Sequence, residues 1–97
     1  MIENVLVGSS PTISVDVAGQ GETVFFLHGI GGNRTNWSDN ILSLAPDFRA
    51  MAWDARGYGN SEDYEGPLTF DLFVDDLMRV FDHFGIGKVH LVGLSMG

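Results

Sequence analysis

Apolar runs of strand length alternate with helical patterns along this 97-residue chain. Residues 24–27, 48–53 and 88–92 are typical of strands. The first of them is continuously apolar between breaker residues, as expected for a strand that is buried on both faces. Strands that alternate with helices need crossover connections, and these give right-handed βαβ units and a parallel sheet. The pattern predicts an α/β fold in which residues 1–97 belong to one domain.

The amino-terminal part of the chain adds a hairpin and a short helix to this sheet. Residues 5–7 and 12–17 alternate apolar and polar side chains, which predicts two antiparallel strands with one solvated face. Trp37 and later apolar residues fall at helical spacing, and Thr35 or Asn36 is the expected N-cap. The expected architecture is therefore an antiparallel hairpin that leads into a mostly parallel sheet with flanking helices.

A second and longer helix is predicted after residue 69. Apolar residues recur at i, i+3, i+4, i+7, i+11 and i+14 from position 70, so one whole face is apolar. Thr69 is the expected N-cap, and Gly85 suits the position just past the carboxyl end. Asp75 and Asp76 fall on the opposite face, where carboxylates are usually solvated.

Three polar or glycine-rich segments each come directly after a predicted strand. They are residues 28–34, 54–61 and 93–97. The carboxyl ends of parallel strands share one edge of a sheet, and reactive groups of open α/β sheets gather beyond that edge. We therefore expect the three segments to converge.

The last of these segments reads Gly-x-Ser-x-Gly and directly follows an apolar strand. This is the pattern of a nucleophile elbow, in which a serine lies on a strained turn between strand and helix. A serine hydroxyl needs an adjacent base and donors for the oxyanion that it creates. Ser95 is the candidate nucleophile, and the backbone N–H of Met96 is a candidate oxyanion donor.

The first segment, residues 28–32 with the sequence His-Gly-Ile-Gly-Gly, can supply a second donor. By its position after His-Gly, the backbone N–H of Ile30 is the expected one. Gly29 and Trp37 are candidates to line a substrate pocket. As an aromatic residue of a helix, however, Trp37 already has a sufficient role in the core.

The same segment has a rival interpretation as a dinucleotide-binding loop. Residues 29–34 begin like Gly-x-Gly-x-x-Gly, and Asp54 ends the next strand as a ribose-binding carboxylate would. The pattern fails at Arg34, where the fingerprint requires its third glycine. This interpretation also leaves the serine motif unexplained.

None of the three histidines is expected to act as the general base. His28 lies at the mouth of the predicted oxyanion loop, where a ring that is hydrogen-bonded to hold the loop is the expected role. His83 falls on the charged face of the second helix, and His90 alternates outward on a strand. No metal site or cofactor is implied.

The charge of the chain argues against several classes of partner. Five Lys and Arg against thirteen Asp and Glu give a net charge of −8, which opposes binding to nucleic acid or to anionic membranes. The chain has no cysteine, which excludes disulfides and thiolate metal sites. It shows neither a signal peptide nor an apolar run of membrane-spanning length, so a cytoplasmic location is the expectation.

Together, the segments 28–32, 54–61 and 93–97 resemble the amino-terminal portion of an α/β-hydrolase, and the resemblance covers the whole chain. Within that superfamily the chain is most similar to the oxoadipate enol-lactonases, the meta-cleavage product C–C hydrolases and the haloperoxidase-like esterases. The resemblance implies that Ser95 is the nucleophile and that the N–H groups of Ile30 and Met96 form the oxyanion hole. A serine at this position argues against the haloalkane dehalogenase branch, which uses aspartate there.

The resemblance also implies that the fold is incomplete in this chain, which ends at the elbow. Complete relatives continue with further strands, a lid, an acidic residue and a late histidine. We expect a second segment or chain to supply the catalytic Asp or Glu and the His, and residues 1–97 alone to be almost inactive. The expected substrate is a small carboxylic ester or lactone. The alternatives are C–C bond hydrolysis and a non-catalytic protein that binds a small ligand.

Overall fold

The computed structural model describes residues 2–8, 11–29, 32–59, 61 and 69–93. Over these ranges the chain forms one sheet with a helix on each face. The elements, in chain order, are the strands β1 (Glu3–Val7), β2 (Ile13–Ala18) and β3 (Thr23–Leu27), a 3₁₀ turn (Arg34–Trp37), helix α1 (Ser38–Leu44), strand β4 (Arg49–Trp53), helix α2 (Phe70–Phe84) and strand β5 (Val89–Gly93).

The strands of the sheet lie in the order β1-β2-β4-β3-β5. β2 pairs in antiparallel fashion with both β1 and β4. β3 lies between β4 and β5 and is parallel to both of them. The α/β class, the amino-terminal hairpin and the parallel pairing of β3 are therefore confirmed. The described part of the sheet is mixed, because two of its four strand pairings are antiparallel.

The alternation of side chains along β3 and β4 gives the sheet two apolar faces. On one face, Phe25 and Trp53 pack against Phe81 of α2, and the ring of Phe25 lies 5.5 Å from that of Phe81 and 6.1 Å from that of Trp53. On the other face, Phe26 packs with Ile41 of α1 in a second cluster. Burial of each such side chain stabilises the fold by about 1.5–3 kcal/mol.

Helix α2 begins and ends where the sequence predicts. The Oγ1 of Thr69 accepts a hydrogen bond of 3.3 Å from the backbone N–H of Leu72. Gly85 follows the helix in the left-handed region with φ of +66°. Both caps satisfy backbone groups that a helix leaves unpaired at its ends.

The predicted N-cap of the first helix is wrong, because the helical segment begins one turn earlier. Asn33 caps the 3₁₀ turn, and its Oδ1 accepts a hydrogen bond of 2.9 Å from the N–H of Thr35. The side chain of Asn36 in turn accepts from the N–H of Asn33 at 2.8 Å. Thr35 and Asn36 thus lie inside the turn, and the reciprocal pair of asparagines takes the place of a single cap.

Among the helices in the described ranges, none has both the length and the apolar content that crossing a bilayer would require.

Three glycines provide a graded test of backbone packing. Gly19, in the turn between β2 and β3, has φ of +85°, and a Cβ there would overlap two carbonyl oxygens and lie 2.8 Å from the Cα of Ala45. Gly85 has positive φ but open space around it, and Gly87 has open space without positive φ. Gly19 therefore combines positive φ with steric overlap, Gly85 has positive φ alone, and Gly87 has neither.

We expect alanine at these positions to destabilise the fold in the order G19A, G85A, G87A. G19A should lower the free energy of unfolding by about 2 to 5 kcal/mol, since strain and overlap add. G85A should cost about 1 kcal/mol from its φ alone, and G87A less than about 0.5 kcal/mol. Urea unfolding of the complete protein measures all three. Equal losses for G19A and G85A would contradict the close packing of Gly19.

Candidate active site

The register of β3 with its neighbours brings the ends of three strands to one edge of the sheet. Leu27 of β3 pairs with Gly93 of β5, and Phe26 pairs with Ala52 of β4. The chain therefore leaves the sheet at nearly the same level before the His-Gly loop, before the Asp54 loop and before the serine motif. Three site residues named from the sequence, Ile30, Ser95 and Met96, lie outside the described residues.

His28 is buried and makes a hydrogen bond with each ring nitrogen. Its Nε2 accepts from the backbone N–H of Ala55 at 3.1 Å, and its Nδ1 lies 2.8 Å from the carbonyl oxygen of Gly29. An amide N–H can only donate, so Nε2 carries the lone pair and Nδ1–H donates to Gly29. This arrangement requires the neutral ring. It confirms that His28 holds the loop, and it leaves neither nitrogen free to act as a base.

The loop after β3 also has a backbone hydrogen bond within it. The N–H of Gly32 donates to the carbonyl oxygen of Gly29 at 3.0 Å, so a hydrogen bond joins the two residues that flank positions 30 and 31. A Cβ at Gly32 would lie 2.6 Å from Asn36 Oδ1 and 3.1 Å from the Cβ of His28. A larger residue at position 32 would therefore displace the Asn36 side chain.

Arg34 joins the end of this loop to the end of β4. Its backbone N–H donates to Asp54 Oδ1 at 2.7 Å, and its Nη1 donates to Asp54 Oδ2 at 2.6 Å. Its Nε donates to Asp16 Oδ1 at 3.0 Å, and Asn4 Nδ2 donates to the same oxygen, also at 3.0 Å. The Asp54 side chain is completely buried, and its charge is balanced by the guanidinium of Arg34, whose side chain is partly buried.

The protonation of Arg34 reflects this environment. Partial burial lowers the pKa of the guanidinium, but the hydrogen bonds and charges of Asp54 and Asp16 outweigh that effect and raise the pKa above its ordinary value. Because the pKa of Arg34 is higher in the folded protein than its ordinary value, the charged guanidinium stabilises the fold at every pH below that ordinary value. Arg34 therefore stays protonated throughout the neutral range.

The loop after β4 is folded around Asp54. The N–H of Asp54 donates to the carbonyl oxygen of Ser14 at 2.9 Å. Ser61 Oγ accepts from the N–H of Ser14 at 2.8 Å and donates to the carbonyl oxygen of Asp54. Gly59 has φ of +50°, and a Cβ there would lie 2.5 Å from Asp54 Oδ1. In its described residues, this loop therefore has a structural role.

Asp76 contradicts the expectation of a solvated outer helix face. Its side chain is completely buried and accepts two hydrogen bonds from Arg56, from Nε at 2.6 Å and from Nη2 at 2.7 Å. Arg79 adds a third at 2.7 Å. The loop after β4 reaches over α2 and covers this carboxylate, a tertiary contact that helical periodicity does not reveal. Hydrogen bonding to Asp76 is the main cause of the raised pKa of Arg56.

Trp37 lies in the apolar cluster between the sheet and α1. Its indole ring stacks on Phe26 at 4.8 Å with an interplanar angle of 21°. Its Nε1 is buried, and among the residues that the structure describes it has no hydrogen-bond partner. The core role is thus visible, while contact of Trp37 or Gly29 with a substrate stays a prediction.

Comparison with known proteins decides the family. Residues 22–97 match the family defined by the alpha/beta hydrolase fold. The chain belongs to the α/β-hydrolase family. The resemblance of the three segments to this family is therefore confirmed.

The individual proteins to which this α/β-hydrolase chain is similar are named as different enzymes. It is 38% identical over 79 residues to a dihydrolipoyllysine-residue acetyltransferase component of the acetoin cleaving system from Cupriavidus necator, covering 81% of this chain and 21% of that protein. It is 28% identical over 88 residues to 3-oxoadipate enol-lactonase 1 from Acinetobacter baylyi, covering 89% and 33%. The chain thus spans about a fifth to a third of the length of these relatives.

A solved structure confirms the fold over nearly the whole chain. The structure of the epoxide hydrolase VrEH1 from Vigna radiata superposes with a TM-score of 0.93 at 35% identity, covering 99% of this chain and 31% of that one. The chain therefore corresponds to about a third of this structure, as it does of the enol-lactonase. Substrate class differs among these α/β-hydrolases, so the family alone does not fix it.

The two remaining histidines of this α/β-hydrolase chain lie away from the carboxyl edge of the sheet. His83 is exposed near the end of α2, with its ring against Phe84. His90 pairs in register with Val24, one residue after the start of β3, and its Nε2 lies 3.2 Å from exposed Glu22. Both are surface residues, as the sequence predicts. Within the described ranges, no group of three or more His, Cys, Asp or Glu is arranged to hold a metal ion.

Adjacent aspartates on α2 test the buried ion cluster. We expect D76A to lower the free energy of unfolding by about 3 to 5 kcal/mol, because Arg56 would be left unpaired and largely buried. D75A removes an exposed carboxylate and should cost less than about 0.5 kcal/mol. Unfolding midpoints in urea, measured on the complete protein, check both values. A loss for D76A as small as that for D75A would contradict the buried cluster.

Proposed function

We propose that the complete protein is a serine hydrolase that cleaves a carboxylic ester or a lactone through an acyl-Ser95 intermediate. The pairing of Leu27 with Gly93 carries this proposal. Gly93 is the first glycine of the Gly-x-Ser-x-Gly motif, and Leu27 directly precedes the His-Gly loop. A nucleophile and a glycine-rich loop that leave the sheet side by side are what acyl transfer needs.

The proposed reaction has two half-reactions. The Ser95 oxygen attacks the carbonyl carbon while a base takes its proton, and the carbonyl electron pair moves to oxygen. Collapse of this oxyanion expels the alkoxide, which receives the proton and leaves as an alcohol. Water then attacks the acyl-serine ester in the same way, releasing the acid and restoring the serine. In a lactone, alcohol and acid belong to one product molecule.

The oxyanion of each half-reaction needs donors that are fixed in advance. We assign this role to the backbone N–H groups of Ile30 and Met96, following the family pattern. Loss of one such donor in a serine hydrolase costs about 2.7 to 4 kcal/mol of transition-state stabilisation. The contacts of His28, Gly32 and Arg34 support this assignment, because they fix the loop on both sides of residue 30.

The base and the acid must come from another segment. Both nitrogens of His28 are already bonded, and His83 and His90 lie away from the carboxyl edge of the sheet. We therefore infer that a histidine and an acidic residue outside residues 1–97 complete the triad. Without them, these residues would retain only binding and oxyanion effects and would be almost inactive.

The chemistry of serine favours an acyl substrate over the epoxide of the structurally similar epoxide hydrolase. Attack of a serine oxygen on an epoxide carbon would form an ether. An ether has no carbonyl that water could attack, so the enzyme would not be regenerated. Attack on an ester or lactone gives an acyl-serine that water can hydrolyse. The enol-lactonase among the relatives agrees with a lactone or ester as the substrate.

A fluorophosphonate probe tests the nucleophile. The complete protein should lose its activity on a p-nitrophenyl ester in proportion to covalent labelling, and peptide mapping should find the label on Ser95. S95A should lose labelling and at least about 10³-fold in kcat, because the acyl-enzyme can no longer form.

Ser43 supplies the matched control, because it is an exposed serine on α1. S43A should keep both labelling and turnover. A folded protein that binds an ester without turnover and resists labelling would instead indicate a non-catalytic binding protein, and the proposed function would be wrong.

A further inference from the structure

The loop that runs from His28 to Arg34 is anchored at both ends on two consecutive residues of the chain. At its beginning, His28 Nε2 accepts from the N–H of Ala55. At its end, the backbone and the side chain of Arg34 both donate to the carboxylate of Asp54. Residues 54 and 55 directly follow β4, so both ends of the loop are bonded to residues that a single peptide unit joins.

We propose that Asp54 and Arg34 are positioning residues for the oxyanion hole: their ion pair fixes the loop whose N–H group binds the oxyanion. This inference rests on the proposed function. It assigns no contact with substrate to either residue. Their effect on catalysis is transmitted through the backbone of residues 28–34.

The geometry of the pair suits this role because it constrains both position and direction. Asp54 Oδ1 accepts from the backbone N–H of Arg34 at 2.7 Å, and Oδ2 accepts from Nη1 at 2.6 Å. One carboxylate thus holds the main chain and the side chain of the same residue. A carboxylate that bonded only the guanidinium would leave the backbone free to shift along a long side chain.

The guanidinium is held from its other side as well. Arg34 Nε donates to Asp16, which lies on β2 and is itself bonded by Asn4. The side chains of Asp16 and Arg34 are only 8% and 16% exposed. Arg34 therefore cannot swing away without removing its positive charge from two carboxylates in the interior, which is strongly unfavourable.

Small displacements of this loop matter to catalysis more than to folding. A misplacement of about 1 Å in a catalytic arrangement can reduce the rate about 10²-fold. An oxyanion donor acts only if it lies about 2.7 to 3.1 Å from the developing charge. A loosened loop would therefore reduce the stabilisation of the transition state before it affected the binding of the ground-state ester.

The test compares an oxygen ester with the matching thionoester, in which sulfur replaces the carbonyl oxygen. Sulfur is larger and a weaker acceptor, so donors that are fixed for oxygen serve it poorly. The wild-type protein should therefore prefer the oxygen ester strongly in kcat/KM. A loosened oxyanion loop should lose rate on the oxygen ester and much less on the thionoester.

Two conservative variants break the pair in different ways. D54N keeps the shape of the side chain but presents an amide to the guanidinium, and R34K keeps the charge but cannot reach Asp54 and Asp16 together. For each, we expect kcat on the oxygen ester to fall about 10- to 100-fold with KM changed less than about threefold. The preference for oxygen over sulfur should fall at least about fivefold.

D76N is the matched control for a merely structural effect. Asp76 is as fully buried as Asp54 and also pairs with an arginine, but it accepts two guanidinium nitrogens of Arg56 and no backbone N–H, and it anchors α2 to the loop after β4. D76N should lower stability without changing the oxygen-to-sulfur preference. Assays are made well below the unfolding temperature of each variant. If D54N does not fold, R34K alone tests the proposal.

The outcomes separate the two proposals. A reduced oxygen preference in D54N or R34K, with the preference retained in D76N, supports the positioning role. Equal losses on both esters, or a reduced preference in D76N as well, would overturn it while leaving the serine mechanism intact. A wild-type protein that neither turns over the oxygen ester nor reacts with a fluorophosphonate would overturn both.

Discussion

The carboxylate of Asp54 is an anion with no exposure to solvent, at the end of a strand in the middle of the sheet. Moving such a group from water to a low-dielectric interior costs on the order of 20 kcal/mol in the idealised limit, so it must be paired. Arg34 provides the charge, and the arginine in turn needs Asp16. The loop after β4 packs closely around this pair. Gly59 has no side chain where it approaches the carboxylate, and the hydroxyl of Ser61 donates to the Asp54 carbonyl oxygen.

The pairing of β3 with two parallel neighbours is the second constraint on the site. It depends on backbone hydrogen bonds and on two apolar faces. Because the three loops leave the sheet at one level, buried charges at their bases can connect them. One buried carboxylate makes such a connection between two loops, and a second joins a loop to a helix. Asp54 joins the loop after β4 to the loop after β3, and Asp76 joins it to α2.

The parts of the fold that depend on local chemistry could be predicted from the sequence. The strands and the caps at Thr69 and Gly85 follow from periodicity, hydrogen bonding over a few residues and the ease with which glycine adopts positive φ. The α/β class and the shared edge follow from the order of the strands. The holding role of His28 follows from its place at the start of the loop.

The parts that depend on distant partners could not be predicted. Asp76 falls on the polar face of its helix, and only the approach of Arg56, 20 residues earlier, makes that face an interior. Arg34 is a misfit to a glycine pattern in the sequence, but its partners lie on β2 and at the end of β4. The N-cap of the first helix was predicted at the wrong residue because a 3₁₀ turn extends the helical segment toward the amino terminus. Sequence spacing does not indicate contacts between residues that are distant along the chain.

The place of β3 in the sheet has a consequence for how the chain is made on the ribosome. β3 is buried along most of its length, yet both of its partner strands are synthesised after it. At about 5 to 20 residues per second, the strand that begins at Val89 follows Thr23 by roughly 3 to 13 seconds. During that interval an apolar strand has no native neighbour on its β5 side. The nascent chain therefore exposes an apolar segment that the folded protein hides.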